Sequence, residues 1–285
     1  MMTPLPYLAA IRVDGRDGRD FLHRQLSADI NGLASGEATF ACLCQPKGRV
    51  IAVVAVIAGE DRQWLLCAHT LAEKVSGWLS RFVFRDDVRF SADDGDTVIG
   101  DTAPFSGAST PLDGLQYAVS TDTRKEVESD STDAMAFRAH ELASGLSWLD
   151  QTSSEAFLPQ MIGADAIGAL NYRKGCYPGQ EIVARTHYLG KLKQRPALAW
   201  IKAAPSFTVM DKIMLRGPGG DIDAQVVDGV TADDETRLLL AARSPAAVEV
   251  DQVVIGESSL PVTVSWPDVP SRQGPGENRQ ASATT

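Results

Sequence analysis

The sequence predicts an α+β protein that ends in a small β-barrel, and three observations carry this prediction. Residues 39–90 show strand-like hydrophobic patterns interrupted by one helical pattern, which is typical of an antiparallel sheet with a packed helix. Residues 198–264 contain short strand-like runs separated by Gly and Pro, which favours a barrel. A chain of 285 residues is also long for one core, so we expect two or three modules.

The first predicted elements are a helix and a β-hairpin. Phe21, Leu22 and Leu26 share one helical face over residues 17–26, with Asp17 as the candidate N-cap. Residues 39–43 and 49–58 predict two strands around a turn at residues 46–48, and residues 63–68 predict a third strand.

The middle of the chain predicts two further helices within less regular sequence. Apolar residues recur every three or four positions over 71–84, and a strand follows at 87–90. Residues 93–133 are rich in Gly, Ser, Thr and Asp, with short strands expected at 97–99 and 115–119. A helix over 134–144 should end at Gly145, and residues 155–170 are expected to be partly helical.

The C-terminal third predicts the barrel and a tail. The predicted strands are 198–201, 212–215, 222–227, 237–241, 248–254 and 262–264. The segment after Pro267 is rich in Ser, Gly, Pro, Gln and Thr and has few side chains to bury, so we expect disorder over 267–285.

Composition and charge restrict the classes of function. The chain carries a formal charge of −10, which argues against non-specific binding to nucleic acid. No apolar stretch approaches the roughly 18 residues of a membrane span, and no N-terminal signal pattern is present, so we expect a cytoplasmic protein. Four cysteines in a chain of this length do not form a disulfide framework. Cys42 and Cys44 share one face of a predicted strand, where packing is favoured over a metal site.

One octapeptide, KGCYPGQE at Lys174 to Glu181, is more specific than any other part of the sequence. Two glycines and Pro178 predict a tight turn that displays the thiol of Cys176, with Lys174 as a nearby cation. The alternative is that Cys176 is a small buried hydrophobe, as most free cysteines are. Between Arg173 and Arg195 the chain has six basic residues and one acid, which predicts either a site for an anionic ligand or a solvated basic face.

The run NYRKGCYPGQEIVAR from Asn171 to Arg185 closely resembles the signature of the YgfZ family. Further landmarks of that family are similar to QLSADI at Gln25 to Ile30, PKGR at Pro46 to Arg49 and FLPQ at Phe157 to Gln160. Members of the family bind folate, are related to the glycine cleavage T-protein, and act in the maintenance of iron–sulfur enzymes and in tRNA modification. The resemblance covers roughly residues 5 to 200.

The resemblance implies a three-module arrangement around a central cavity, with the first two modules interleaved in sequence. Accordingly, residues 1–35 and 93–195 are assigned to a first module that carries the octapeptide, 36–92 to a second α+β module, and 196–266 to the barrel. In the T-protein an acidic residue on the strand after the PKGR-like segment assists aminomethyl transfer, whereas residues 50–58 of this chain contain no acid.

The resemblance also implies the site. Cys176 and Lys174 are the candidates for chemistry, and no metal ligands are expected. The candidates for binding tetrahydrofolate or a folate derivative are Arg49, Gly175, Tyr177, Gly179, Gln180, Glu181 and Arg185. Arg49 is also compatible with a solvated turn arginine.

These observations favour a folate-binding accessory protein for iron–sulfur enzymes, including those that modify tRNA, with folate and those enzymes as partners and no membrane contact. Two alternatives stay open: a folate-dependent aminomethyl transferase, and a thiol-redox protein that does not need folate.

Overall fold

The computed structural model of the chain describes residues 2–92, 96–102, 108–109, 112, 115–120, 132–189, 192–244 and 246–267. The predicted tail lies outside the described residues from 268 onward. In chain order, the first strands are β1 (Thr3–Pro4), β2 (Leu8–Asp14), β3 (Ala38–Cys44), β4 (Val50–Ala58), β5 (Arg62–Ala68), β6 (Arg89–Ser91), β7 (Thr97–Asp101), β8 (Ala108–Ser109) and β9 (Gln116–Ser120). The helices are α1 (Gly18–Gln25), α2 (Ala72–Ser80), α3 (Thr132–Ala143) and α4 (Gln180–Tyr188), with 3₁₀ turns at His69–Leu71 and Pro159–Ile162.

Two antiparallel sheets form the N-terminal part. The five-stranded sheet has the order β3-β4-β5-β2-β6, and the four-stranded sheet has the order β1-β7-β9-β8. The predicted hairpin of β3 and β4 is confirmed, and eight of the nine residues of β4 are buried because every side chain in it is apolar. Strand β2 pairs with β5, so this N-terminal strand lies in the sheet of the predicted second module. The division of the chain into modules stays a prediction.

The C-terminal sheet contains β10 (Arg195–Ile201), β11 (Lys212–Arg216), β12 (Ile222–Ala232), β13 (Glu235–Ala242), β14 (Gln252–Ile255), β15 (Ser258–Pro261) and β16 (Thr263–Ser265). Its order is β15-β14-β11-β12-β13-β10-β16. The two outermost strands follow each other in the chain, separated by Val262 alone, so the sheet is nearly closed. The predicted α+β class and C-terminal barrel are therefore confirmed, with β15 as a strand that the sequence analysis missed.

Helices α1, α2 and α3 lie where the sequence predicts them, but α1 and α2 differ from the prediction at one end. Helix α1 begins after Asp17, yet the Asp17 side chain does not cap it. Asp17 Oδ2 instead accepts a hydrogen bond from the Asp87 amide at 2.8 Å and ties the start of α1 to the segment before β6. The predicted helix over 71–84 ends at Ser80, and Phe84 lies beyond it with its side chain 84% exposed.

A largely buried polar network joins the two N-terminal sheets to the barrel. Glu141 on α3 accepts hydrogen bonds from Tyr7 at 2.8 Å, from Tyr117 on β9 at 2.5 Å, and from the Trp148 indole at 3.0 Å. One turn away, Arg138 forms an ion pair with Asp228 on β12. We call these six residues the Glu141 network. Burial raises the pKa of Glu141 to about 7 against these three donors, which favour the carboxylate.

Candidate functional site

The signature octapeptide folds as a turn that leads directly into α4. The Asn171 side chain accepts hydrogen bonds from the amides of Arg173 and Lys174 at 2.8 and 3.0 Å, which shapes the turn. Gly179 occupies the position before the helix with φ of +82°, a conformation that a side chain disfavours. The sequence analysis did not predict α4. The sequence feature that could have predicted this helix is the acidic residue in its first turn, Glu181, which forms an ion pair with Arg185 one turn later at 2.8 Å.

The start of α4 rests on the turn between β3 and β4. A Cβ atom added to Gly179 would lie 2.5 Å from the carbonyl oxygen of Gln45 and 2.8 Å from the Cα of Gly48. Gly48 has φ of +77°, and a Cβ there would lie 2.9 Å from the Cβ of Ile182. The two glycines therefore permit backbone contact between the PKGR segment and the octapeptide, which are more than 120 residues apart in the sequence.

Ser27, in the QLSADI segment, connects the same region from a third side. Its hydroxyl donates to the Ala169 carbonyl at 2.6 Å and accepts from the Cys42 amide at 2.7 Å. Its own carbonyl accepts from the Asn171 amide at 2.9 Å. Ser27 is fully buried. Three of the segments that carry the family resemblance thus meet at the turn that displays Cys176.

The FLPQ segment completes the arrangement through Gln160. Its side-chain amide donates to the carbonyl of Val183 on α4 at 2.8 Å and to the Tyr172 hydroxyl at 3.2 Å. Tyr172 in turn donates to Asp165 at 2.5 Å and stacks on His187 with ring centres 3.8 Å apart. Burial raises the pKa of Asp165, and the hydrogen bond from Tyr172 opposes this shift. These contacts fix α4 against residues 159–172.

Lys174 is anchored rather than free. Its ammonium group donates to the carbonyls of His23 and Leu26 at the C-terminal end of α1, the latter at 2.6 Å. The ring of Tyr177 lies 5.2 Å away. Burial lowers the pKa of Lys174 to about 8, and the neighbouring Asp29 opposes this shift. The lysine therefore ties the octapeptide to α1 and places its charge near Cys176.

Cys176 differs from the other three cysteines in its exposure. Cys42, Cys44 and Cys67 are buried, and burial raises the pKa of each thiol, to about 12 for Cys44 and Cys67. Cys176 is exposed, so the alternative prediction of a buried, packing cysteine is wrong. Of the four cysteines, Cys176 is therefore the one whose thiol is accessible from solvent. A thiol reacts as a nucleophile in its thiolate form.

His23 and Asp29 are neighbours of this site that the sequence analysis did not select. His23 Nδ1 lies 3.1 Å from Asp29 Oδ1. Burial and the charge of Lys174 lower the pKa of His23, whereas Asp29 opposes the shift. Asp29 was visible in the QLSADI segment, but only the fold shows that both residues flank Lys174.

The residues predicted to bind folate fall into two groups. Tyr177 is buried and Gly179 is packed against backbone, so both shape the site from within. The others lie at or near the surface: Arg49, Gly175, Gln180, Glu181 and Arg185. Arg49 also donates a hydrogen bond to the Ala156 carbonyl. An atom added at Gly175 would meet no heavy atom within 4 Å, so the space beside Cys176 is open. Lys191 of the basic segment lies outside the described residues.

No group of three or more His, Cys, Asp or Glu side chains in the described ranges is arranged to hold a metal ion. None of the helices in these ranges is long and apolar enough to cross a membrane.

The fold defined by these sheets is that of the glycine cleavage T proteins. The chain superimposes on the glycine cleavage system aminomethyltransferase T from Bartonella henselae with a TM-score of 0.60 and 12% sequence identity. The match covers 94% of this chain and 85% of that protein. The predicted T-protein-like arrangement is therefore confirmed at the level of the fold.

Sequence comparison leads to a narrower group, although no family model matches the chain. The tRNA-modifying protein YgfZ of Edwardsiella ictaluri is 24% identical over 230 residues, which cover 68% of each chain. The YgfZ of Sodalis glossinidius is 24% identical over 70% of each chain. An uncharacterized protein of Haemophilus influenzae is 28% identical over 65% of this chain and 68% of its own length. The chain is thus related to the YgfZ proteins, and the resemblance inferred from the octapeptide is confirmed.

Proposed function

We propose that this protein is a folate-binding accessory factor in tRNA modification that supports iron–sulfur enzymes through the thiol of Cys176. One observation supports this most directly: the segments of the chain that resemble the YgfZ family converge on the turn that exposes Cys176. Ser27, Gly48 and Gln160 each contact the octapeptide or the residues around it. The relatives named as tRNA-modifying proteins support a role in tRNA modification, and the T-protein fold supports a folate ligand.

The chemistry of the site is compatible with a reduced folate. The glutamate end of a folate carries carboxylates, which guanidinium groups bind with paired hydrogen bonds. Arg49 and Arg185 are exposed cations on the two segments that meet at Gly179, and the space at Gly175 is open. These residues would hold the anionic end, and Gln180 would offer amide donors and acceptors. The iron–sulfur enzymes and a cytoplasmic setting, favoured by the four free cysteines, are parts of the same proposal.

The aminomethyl transferase is the weaker candidate because strand β4, where the T-protein carries its acidic residue, has no carboxylate in this chain. Strand β4 is apolar throughout and occupies the core, so no side chain on it can serve as a general base. The thiol-redox alternative is weaker as well, since the cysteines other than Cys176 are buried and offer no accessible partner thiol within the chain.

Folate binding is tested by titration of tetrahydrofolate into the full chain. We expect saturable binding that weakens in Arg185→Glu, and more so for polyglutamylated folates. The matched control is Arg216→Glu, which reverses another exposed arginine that forms an ion pair, with Asp221 on the barrel. Equal affinity of the wild type and Arg185→Glu would remove this arginine from the site.

The role of the thiol is tested by complementation of a strain that lacks its YgfZ. Cys176→Ala should melt and bind folate like the wild type but fail to restore the product of an iron–sulfur tRNA-modifying enzyme. Cys67→Ala controls for loss of a cysteine in general. It should melt at a lower temperature because it opens space in the core, yet restore the product. Full restoration by Cys176→Ala would contradict the proposed role.

A further inference from the structure

The C-terminal end of α4, one helix length from the octapeptide, carries an exposed apolar surface. The large hydrophobic side chains that are exposed in the described ranges are Met2, Phe84, Tyr188, Leu189 and Trp200. Single exposed hydrophobics are normal on a protein surface. Tyr188 and Leu189, however, are adjacent, 40% and 80% exposed, and lie on the helix that starts at the octapeptide.

The Tyr188 ring of this surface is held in place by the rings behind it. His187 lies edge to face with Tyr188 at 4.7 Å between ring centres and stacks on Tyr172 at 3.8 Å. The hydroxyl of Tyr172 is fixed by Asp165 at 2.5 Å. The amide of Leu189 closes the helix by donating to the Arg185 carbonyl at 2.9 Å. A ring and a backbone that are already fixed lose little conformational freedom when a partner binds, which favours association.

The position of the surface relative to the thiol follows from helix geometry. Glu181, Arg185 and Tyr188 are spaced by four and three residues, so they form one exposed stripe along α4. A helix of nine residues is about 13 Å long. A partner that covers this stripe would therefore reach from Leu189 to the turn that exposes Cys176.

The charge around the stripe indicates the chemistry of that partner. Arg173, Arg185 and Lys193 are exposed, and the segment from Arg173 to Arg195 has a net charge of +5, whereas the rest of the chain carries −15. Such a segment attracts an acidic partner. An extended polyanion such as RNA would reach beyond this basic segment onto the acidic remainder of the chain, which repels phosphate, and the aliphatic side chain of Leu189 suits an apolar side chain of a protein. These two features favour a protein segment over RNA.

We propose that the Tyr188–Leu189 end of α4 is a docking surface for an acidic segment of a client protein, which packs an apolar side chain there and is thereby held beside Cys176. This inference rests on the proposed function and adds the client's recognition element to it. An apolar anchor surrounded by charged residues is the usual arrangement of an interface whose binding energy is concentrated in a few side chains.

The test is Leu189→Asp in the complementation assay, with Phe84→Asp as the matched control. Both side chains are more than three-quarters exposed, so neither variant should lower the melting temperature or the affinity for folate. Leu189→Asp should restore about a tenth or less of the wild-type level of the modified nucleoside, since loss of an anchor weakens binding tenfold or more. Phe84→Asp should restore the wild-type level. Full restoration by Leu189→Asp, or equal loss in both variants, would overturn the docking surface.

Two further measurements separate other occupants and keep the two proposals distinct. If purified wild type retards unmodified tRNA on a gel and Leu189→Asp does not, the surface binds RNA and the protein partner is wrong. If sedimentation shows a wild-type dimer that Leu189→Asp dissociates, the surface joins two copies of the chain. The thiol is judged separately: full activity of Cys176→Ala together with loss in Leu189→Asp would refute the proposed role of the thiol and leave the docking surface standing.

Discussion

The contact between Gly179 and the turn at residues 45–49 predicts a large difference between two glycines of one octapeptide. Gly179→Ala forces a side chain onto a residue with φ of +82°, which costs about 1–2 kcal/mol. Its Cβ would also lie 2.5 Å from the Gln45 carbonyl oxygen, and such overpacking costs about 1–3 kcal/mol more. Gly175→Ala meets no atom within 4 Å and should change stability by less than about 0.5 kcal/mol.

The assay is thermal unfolding of the two variants and of the wild type, measured by calorimetry. At roughly 2–4 °C per kcal/mol for larger domains, Gly179→Ala should melt about 4–20 °C lower, whereas Gly175→Ala should melt with the wild type. The backbone atoms of Gln45 and Gly48 cannot move aside as the end of a side chain can, so the loss should not be relieved by repacking. Melting temperatures of the two variants within about 2 °C of each other would refute the reasoning, given the errors usual for such scans.

Three further outcomes are expected. The pKa of Glu141 is about 7 in the folded protein and near 4.5 when unfolded, so the folded state holds the extra proton between these values. The contribution of Glu141 to the free energy of unfolding should therefore fall by on the order of 3 kcal/mol as pH rises from 4.5 to 7. Glu141→Gln should lack this fall in melting experiments, and parallel plots of melting temperature against pH for the two proteins would contradict the prediction. Lys174→Met should slow alkylation of Cys176 by iodoacetamide at pH 7, and the two rates should converge above about pH 8, where Lys174 itself loses its charge; equal rates at pH 7 would separate the lysine from the thiol. The wild type should not form methylene-tetrahydrofolate from a loaded carrier protein, because β4 lacks a carboxylate, and formation in proportion to protein concentration would revive the transferase.

Regular elements with a clear hydrophobic period were predictable from the sequence. Strand β4 is wholly apolar, and α2 repeats its apolar residues at three and four, so both were found. The end of α2 was misplaced because Phe82 continues the helical spacing after the backbone has already turned. Strand β15 was missed because only Leu260 in it is large and apolar. Helix α4 was missed because the Gly and Pro before it suggested only a turn.

The residues of the candidate site could be proposed from the sequence, but their contacts could not. The octapeptide identified Cys176 and Lys174, yet the partners of Lys174 on α1 lie about 150 residues earlier in the chain. No local pattern specifies pairs at that separation, since they depend on how the sheets assemble. The same reason hid His23 and the Glu141 network, whose members look like ordinary core and surface residues when read singly.

The Glu141 network also sets an order of events during synthesis. Glu141 and Arg138 leave the ribosome together on α3, but Asp228, which neutralises Arg138, follows about 90 residues later. At a translation rate of about 5–20 residues per second, Asp228 is synthesised several seconds after Arg138, so the guanidinium has no counter-ion from β12 during this time. Until β12 arrives, the two N-terminal sheets can meet around the carboxylate but cannot close over the arginine without burying an unpaired charge. The region around Arg138 should therefore stay hydrated until the barrel strands have been synthesised. A chain truncated before residue 228 lacks the ion pair between Arg138 and Asp228, so we expect it to be cleaved more readily by proteases.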